Sequence, residues 1–259
     1  MKSRDELGVF IVEGDKFVKE IPASHQIVQY VVSDEYKKPS EILKRRAKVL
    51  AVGKAAFERV AQTKSPQGIL AVVEKKHYSF EDIAKAFGFV LVCENINDPG
   101  NVGSLMRTAA AANASGIVLT KECASAWNPK VQRASAGAAL SMPIVSGADI
   151  GCAVGFARKL GMPIYAAHPA EGVLPYDINL SERFCLVLGS ESTGLSKAAK
   201  RSADFLVRLP MSGNMDSLSV PVAGSIIMYE AVRQRDAASG TNLHWDAWEV
   251  YSFAKKDSP

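Results

Sequence analysis

The sequence has few of the features that mark membrane, secreted and metal-binding proteins. Its 259 residues include only four cysteines, Cys93, Cys123, Cys152 and Cys185, and none of them form the CxxC spacing of zinc or redox sites. No apolar run reaches the roughly 18 residues that span a bilayer. The start has acidic residues before its apolar stretch and no small-residue cleavage site, so it does not read as a signal peptide. We therefore expect a cytoplasmic protein without a membrane partner, in which Cys93 and Cys185 are buried thiols.

Histidine is also scarce. His25, His77, His168 and His244 lie far apart in the chain, so we expect no metal site. No segment matches the phosphate-binding patterns GxxxxGK[ST] or GxGxxG, which argues against P-loop and dinucleotide-binding functions. With 47% hydrophobic and 22% charged residues, the composition excludes a mainly disordered chain and indicates a globular protein of one or two domains.

The positive charge is concentrated in the first third of the chain. The net charge is +4; residues 1–88 hold 16 Lys or Arg and 12 Asp or Glu, whereas residues 89–259 hold 15 of each. The densest cluster consists of Lys44, Arg45, Arg46 and Lys48. Such a basic cluster could bind the phosphate backbone of a nucleic acid without reading its sequence. Alternatively, these residues could simply form the solvated face of a helix.

Short apolar segments alternate with helix-like segments, which is typical of α/β folds. In the first part, strands are predicted at 10–14, 27–33, 48–52 and 68–74, and helices at 39–47 and 53–62. In the second part, strands are predicted at 89–94, 116–120, 142–146, 163–168, 184–189 and 205–210. The helices of the second part are predicted at 101–113, 128–139, 150–160, 194–200 and 219–235. The continuous apolar strands of this part indicate a mainly parallel sheet that is covered on both faces.

Composition also suggests where the domains divide. A charged connector with helical character, at 75–88, separates the two series of strands. We therefore predict a small α/β domain at 1–80 and a larger α/β domain at 88–236. A polar tail with scattered aromatic residues follows at 237–259.

Three loops that follow predicted strands contain the residues best suited to chemistry. The first loop, at 95–116, has a DPG turn, then Asn101 as a possible helix cap, and then Arg107 nearly two turns further on. Arg107 could pair with a surface acid, or it could hold a phosphate with its fork of donors. Composition alone does not decide between these two roles.

The second loop, at 186–196, joins a strand to a helix through a glycine-rich turn. Gly189 permits close approach of a ligand to the backbone. Glu191 in the same turn could be a functional acid, or simply an acid that the helix dipole favours.

The third loop runs from a strand into a long helix within 208–235. Ser219 is a good N-cap, and Pro221 fits only the first turn, so both residues indicate the same helix start. Small residues in the opening turns would allow this helix to pack closely against another element. Ser217 and Ser219 could therefore be caps rather than functional groups.

Together the three segments resemble the three motifs of the SpoU, or TrmH-like, branch of the SPOUT RNA methyltransferases. They read NDPGNVGSLMRTA at 97–109, LGSESTGLS at 188–196 and LPMSGNMDSLSVPVA at 209–223. All three occur in the family's order and each ends a strand, so the joint match is specific, and it covers about 89–235. Residues 9–74 are more loosely similar to the substrate-binding domain of ribosomal protein L30e fold that precedes this domain in many members.

The resemblance implies S-adenosylmethionine-dependent 2′-O-methylation of RNA, with ribosomal RNA favoured over transfer RNA. It also implies a homodimer whose site lies near the subunit interface, and a C-terminal α/β-knot domain with a deep trefoil knot. Knots are nearly absent from other folds, so periodicity could not have indicated one. In this family the second and third motifs form the cofactor pocket.

The family's functional residues can be carried over by position. The implied catalytic candidates are Asn101, Arg107, Glu191 and Ser217. The implied cofactor-binding candidates, largely through the backbone, are Gly189, Leu209, Met211, Gly213, Leu218 and Ser219. The implied RNA-binding candidates are Lys44, Arg45, Arg46 and Lys48. The arginine is often proposed as the base, but a guanidinium is effectively never deprotonated, so we expect Arg107 to hold the target phosphate.

One position departs from the family pattern. The third motif usually reads SLN, whereas this chain has Ser217-Leu218-Ser219. Serine keeps an acceptor but is shorter than asparagine and has one donor rather than two, which puts the rate or the substrate choice in question. Two alternatives stay open: a non-catalytic RNA-binding or ribosome-assembly protein, which Ser219 favours, and a small-molecule-binding α/β protein, which the basic first third disfavours.

Overall fold

The computed structural model describes residues 4, 6–37, 43, 45–213 and 215–239, and these residues form two sheets. The strands of the first sheet are β1 (Val9–Glu13), β2 (Ile27–Ser33), β3 (Lys48–Val52) and β4 (Ile69–Glu74). They are arranged in the order β1-β4-β2-β3, in which β2 and β3 are parallel and the other pairs are antiparallel. Helices α1 (Asp15–Lys19) and α2 (Lys54–Val60) accompany them. Phe10, Tyr30 and Ile69 are buried in the core of this part.

The prediction of a helix at 39–47 is wrong for those of its residues that the structure describes. Leu43 and residues 45–47 are not helical, and 39–42 and 44 lie outside the described residues. The guanidinium of Arg45 instead donates to the backbone carbonyls of residues 21–25, with distances of 3.4 Å to Ile21, 3.0 Å to Pro22 and 3.3 Å to Ala23, and a further bond to His25. Such a tertiary contact overrides local helix propensity.

The second sheet is parallel throughout, as its apolar strands predicted. Its strands are β5 (Val90–Cys93), β6 (Gly116–Thr120), β7 (Ile144–Ala148), β8 (Ile164–Ala167), β9 (Cys185–Leu188) and β10 (Phe205–Val207). They are arranged in the order β10-β8-β9-β5-β6-β7. The accompanying helices are α3 (Phe80–Ala84), α4 (Pro99–Ala111), α5 (Pro129–Ala134), α6 (Ile150–Lys159), α7 (Lys197–Ser202) and α8 (Val220–Ser239). The predicted α/β fold class is therefore confirmed.

The central strands of this sheet are buried on both faces. Every residue of β5, β6 and β9 is buried, and the thiols of Cys93 and Cys185 lie among them. Burial raises the pKa of the Cys93 thiol well above its ordinary value and raises the pKa of Cys185 to about 12. Both thiols are therefore protonated at neutral pH, as expected for structural cysteines.

The ends of several helices differ from the predicted ones because of local capping and backbone conformation. Helix α4 is capped by Asp98, whose side chain accepts the Asn101 N–H at 2.9 Å, so Asn101 is not the cap that we predicted. Helix α7 begins three residues later than predicted because Ser196 caps it. The helix predicted at 128–139 is divided, since Ala136 and Gly137 have φ of 48° and 89° and separate α5 from a short 3₁₀ turn. Helix α8 begins directly after Ser219, as predicted.

The two sheets are joined by direct packing. Of the connector at 75–88, only α3 is helical, and Ile83 in α3 is buried against the second sheet. Phe10 of β1 packs against Trp127 with ring centroids 4.4 Å apart, and Leu140 is buried in the core of the first sheet. Within the described ranges, no helix combines the length and hydropathy needed to cross a membrane.

Candidate active site

A cavity of about 580 Å³ lies at the carboxyl ends of β8, β9 and β10, and the start of α8 forms one of its walls. Its apolar walls are formed by Leu188, Leu195, Val207, Leu209, Val220 and Ile227. In open parallel sheets, ligands bind at the carboxyl ends of the strands, next to the point where the strand order reverses. The size and the mixture of apolar walls with a few polar groups are typical of a small-molecule site.

The turn after β9 is built so tightly that it requires glycine at Gly189. A Cβ on Gly189 would lie 2.4 to 2.5 Å from backbone atoms of Gly194 and Leu195. The turn is closed by a 2.9 Å bond from the Gly194 N–H to the Ser190 carbonyl. Ser190 Oγ also accepts the Thr193 N–H at 3.1 Å. The glycine that we predicted as a cofactor contact therefore lines the cavity through a rigid turn.

The opening turns of α8 pack closely against the sheet, as their small residues predicted. A Cβ on Gly224 would lie 2.5 Å from a methyl group of Leu188 and 2.9 Å from a methyl group of Leu105, so a larger residue there would force these side chains to move. One residue further on, Ser225 Oγ lies 3.0 Å from Thr108 Oγ1 of α4. Helix α8 is thus packed against both β9 and α4, which places the third loop beside the first two.

The first and second loops are joined by a side-chain hydrogen bond. Asn101 Nδ2, in the first turn of α4, donates to Glu191 Oε1 at 3.0 Å. Glu191 lines the cavity and Asn101 does not. These two catalytic candidates are therefore brought together at the edge of the cavity. Because Asp98 caps the helix, the Asn101 side chain is available for this contact.

Arg107 lies apart from the cavity. It is exposed on α4, next to Thr108, and it does not line the cavity. Among the described residues, none forms a hydrogen bond or an ion pair with its guanidinium. The arginine predicted as a catalytic candidate is thus free to meet an anion from outside this chain's described residues.

The third loop contributes most of its predicted residues to the cavity. Leu209, Met211, Ser217, Leu218 and Ser219 all line it. The remaining cofactor candidate of this loop, Gly213, does not line it and has a φ of 68°.

Sequence reasoning missed two polar side chains that line the cavity. His168 directly follows β8, and Lys200 lies on α7, with 3.1 Å between Lys200 Nζ and His168 Nε2. His168 could have been found, because it ends a predicted strand at the same edge of the sheet as Gly189. Lys200 could not, because its helix gives no local sign that it faces the cavity.

A third missed residue lies behind the cavity. Glu94 directly follows β5 and is buried, and its Oε2 accepts the Ser196 N–H at 2.9 Å. Glu94 therefore fixes the end of the second loop against the central strand of the sheet.

The described members of the predicted RNA-binding cluster have different surroundings. Arg46 and Lys48 are exposed, and Lys48 begins the edge strand β3. Arg45 is half-buried, and its guanidinium donates hydrogen bonds to backbone carbonyls. Lys44 lies outside the described residues. In the part of the chain that the structure describes, no group of three or more His, Cys, Asp or Glu could hold a metal ion.

Two known families match the chain. The SpoU rRNA Methylase family matches residues 88–229, and the MRM3-like substrate binding domain matches residues 1–71. The chain is 32% identical over 229 residues to the 23S rRNA (guanosine(2553)-2′-O)-methyltransferase of Bacillus subtilis. That alignment covers 88% of this chain and 90% of the relative.

Solved structures of the same family share the fold. The AdoMet-bound rRNA methyltransferase from Sinorhizobium meliloti gives a TM-score of 0.81 at 29% identity, with 90% of each chain covered. The SpoU methyltransferase AviRb from Streptomyces viridochromogenes, in complex with AdoMet, gives 0.80 at 26% identity, with 90% of this chain and 93% of that chain covered. The SpoU family match extends over more than half of the chain, and the alignment with the Bacillus subtilis relative extends over 88% of it. The chain therefore belongs to the SpoU rRNA methylase family.

Proposed function

We propose that this chain transfers the methyl group of S-adenosylmethionine to the 2′-hydroxyl of a ribose in ribosomal RNA. The observation that carries the proposal is the convergence of the three motif loops. Two of them line one cavity at the carboxyl edge of the parallel sheet, and the first is bonded to the second through Asn101 and Glu191. The relative from Bacillus subtilis is named for the same reaction on 23S rRNA.

The cavity fits the cofactor in size and in chemistry. Its volume of about 580 Å³ and its apolar walls suit an adenosine group, and its rim carries polar side chains. The residues that would hold the cofactor are Gly189, Leu209, Met211, Leu218 and Ser219, and Gly213 belongs to the same loop. When bound, S-adenosylmethionine supplies an electrophilic methyl group on a sulfonium centre.

The chain's own task in this reaction is positioning. A ribose hydroxyl is a weak nucleophile, so holding it in line with the methyl group provides much of the rate. We propose that Arg107 holds the phosphate beside the target ribose with its fork of donors, since it cannot serve as a base. Asn101 orients Glu191 at the edge of the cavity, and Ser217, which lines the cavity, is the remaining catalytic candidate.

We propose further that the enzyme is a homodimer whose site lies near the subunit interface. Val222, Ile226 and Tyr229 form an apolar stripe on α8, and they are 46%, 44% and 51% exposed. The opposite face of α8 is buried in this chain, so the helix is apolar on two sides. A second copy of the chain packed on this stripe would bury these three apolar side chains.

The remaining parts of the proposal concern organisation. Residues 88–236 would form the methyltransferase domain with its deep trefoil knot, and residues 1–80 would bind the RNA. Exposed Arg46 and Lys48 are the basic candidates that the structure leaves open to solvent, and Lys44 remains a candidate from sequence. We also propose that the protein acts in the cytoplasm.

Methyl transfer from labelled S-adenosylmethionine to total RNA, taken from a strain that lacks this gene, tests the proposal. We expect label in ribosomal RNA with the wild-type chain and none with Arg107→Ala, which should bind the cofactor normally because Arg107 lies outside the cavity. Cofactor binding without any transfer, even to assembling ribosomal subunits, would favour the non-catalytic alternative. Label in transfer RNA alone would mean that the substrate is transfer RNA rather than ribosomal RNA. The proposed methyl transfer from S-adenosylmethionine would then still stand.

A further inference from the structure

His168 and Lys200 form a pair of hydrogen-bond donors on the wall of the cavity. His168 Nδ1 accepts the backbone N–H of Glu171 at 3.0 Å and that of Ala170 at 3.3 Å. A ring nitrogen that accepts hydrogen bonds carries no proton, so this network assigns the proton to Nε2. His168 Nε2 therefore presents an N–H on the side where Lys200 Nζ lies 3.1 Å away.

Neither member of this pair can accept from the other. A lysine ammonium has three donors and no acceptor, and the Nε2–H is also a donor. Two donors side by side are suited to an anionic group that accepts from both, because hydrogen bonds to a charged acceptor are the strong ones. The chemistry of the pair therefore points to an anion as its ligand.

The charges of the cavity narrow the choice of anion. Among the described residues that line it, Lys200 is the one lysine or arginine and Glu191 is the one carboxylate. The adenosine part of S-adenosylmethionine is neutral, and its single anionic group is the carboxylate at the amino-acid end. A cofactor that fills the apolar part of this cavity has that carboxylate available for the cationic rim.

We propose that Lys200 and His168 bind the carboxylate of the cofactor's amino-acid end. Lys200 provides the charge, and the Nε2–H of His168, oriented by two backbone N–H groups, provides direction. The pair thus distinguishes S-adenosylmethionine from neutral adenosine derivatives that fill the same apolar walls. This inference rests on the proposed function, because it names a subsite within the proposed cofactor site.

Isothermal titration of the full chain with two ligands tests the subsite. S-adenosylhomocysteine carries the carboxylate, whereas 5′-methylthioadenosine lacks the whole amino-acid end. For Lys200→Gln we expect about tenfold weaker binding of S-adenosylhomocysteine and less than twofold change for 5′-methylthioadenosine. Lys200→Arg should restore most of the affinity. Lys197→Gln is the matched control, since Lys197 is exposed on the same helix and does not line the cavity.

Each other outcome overturns the proposal in a distinct way. Equal weakening of both ligands would mean that Lys200 supports the adenosine site or the fold. Unchanged binding of S-adenosylhomocysteine with weaker RNA binding would assign the pair to an RNA phosphate. If the wild-type chain bound neither ligand, the proposed function itself would fail. Wild-type binding combined with no effect of Lys200→Gln would reject the subsite alone.

Discussion

Asn101 Nδ2 donates a 3.0 Å hydrogen bond to Glu191 Oε1, joining two loops whose residues are 90 positions apart. Asn101 lies at the start of α4, and Glu191 lies in the turn after β9, where it lines the cavity. Since Asp98 caps α4, the Asn101 side chain is not needed for the helix. We infer that its role is to fix the direction in which Glu191 points.

The first prediction concerns this bond. A hydrogen bond to a charged group contributes roughly 1.5–3 kcal/mol, and exposure to water favours the lower value. We expect Asn101→Ala to lower the single-turnover rate of methyl transfer about tenfold, with S-adenosylhomocysteine affinity unchanged. The double variant Asn101→Ala, Glu191→Ala should be no slower than Glu191→Ala alone, because the bond is already broken. Additive losses would show that the two residues act independently.

The second prediction concerns the apolar stripe of Val222, Ile226 and Tyr229. A charge placed within an apolar interface is desolvated without a partner. Ile226→Glu should therefore raise the dimer dissociation constant by roughly 100-fold, about 2.7 kcal/mol, as measured by analytical ultracentrifugation. Ala238→Glu, exposed on another side of α8, is the control and should leave the mass unchanged. A dimer of unaltered affinity in Ile226→Glu would place the interface elsewhere.

The sequence predicted regular elements well where their pattern is local. Apolar strands such as Cys185–Leu188 were found because both faces of a parallel sheet need apolar side chains. The start of α8 was found because Ser219 and Pro221 signal it together. The start of α4 was misplaced because Asp98 and Asn101 are both good caps, and only the geometry shows which side chain accepts.

Contacts between distant residues could not be predicted. The motif resemblance selected Asn101 and Glu191, but nothing local indicates that they bond to each other. His168 and Lys200 are 32 positions apart, and their contact depends on how α7 packs beside β8. Arg45 was grouped with its basic neighbours, although its partners lie 20 to 24 positions earlier. In each case the fold, rather than the adjacent sequence, determines the environment of the side chain.

The third prediction separates Arg45 from its basic neighbours. Arg45 donates to backbone carbonyls, so Arg45→Ala should lower the free energy of unfolding by about 2 kcal/mol, measured by denaturant titration. Arg46→Ala and Lys48→Ala should each leave stability unchanged. These two should instead weaken RNA binding and reduce its logarithmic salt slope by roughly one unit per lost phosphate contact. An unchanged slope would identify Arg46 and Lys48 as ordinary solvated residues.

The fourth prediction concerns the dependence of stability on pH. His25 is buried, and burial, together with nearby Lys76 and Arg45, lowers its pKa below the ordinary value of 6.5. Below about pH 6.5 the unfolded chain therefore binds a proton that the folded chain does not bind. The free energy of unfolding should fall as the pH drops from 6.5, by at most about 1.4 kcal/mol per pH unit, until the lowered pKa is reached.

Denaturant titration between pH 8 and pH 5 measures this dependence. His25→Gln removes the titrating group, so its stability should decline less steeply below pH 6.5 than that of the wild-type chain. The exposed His77 provides the control, and His77→Gln should retain the wild-type dependence. Equal slopes for the wild-type chain and His25→Gln would mean that other groups cause the acid sensitivity.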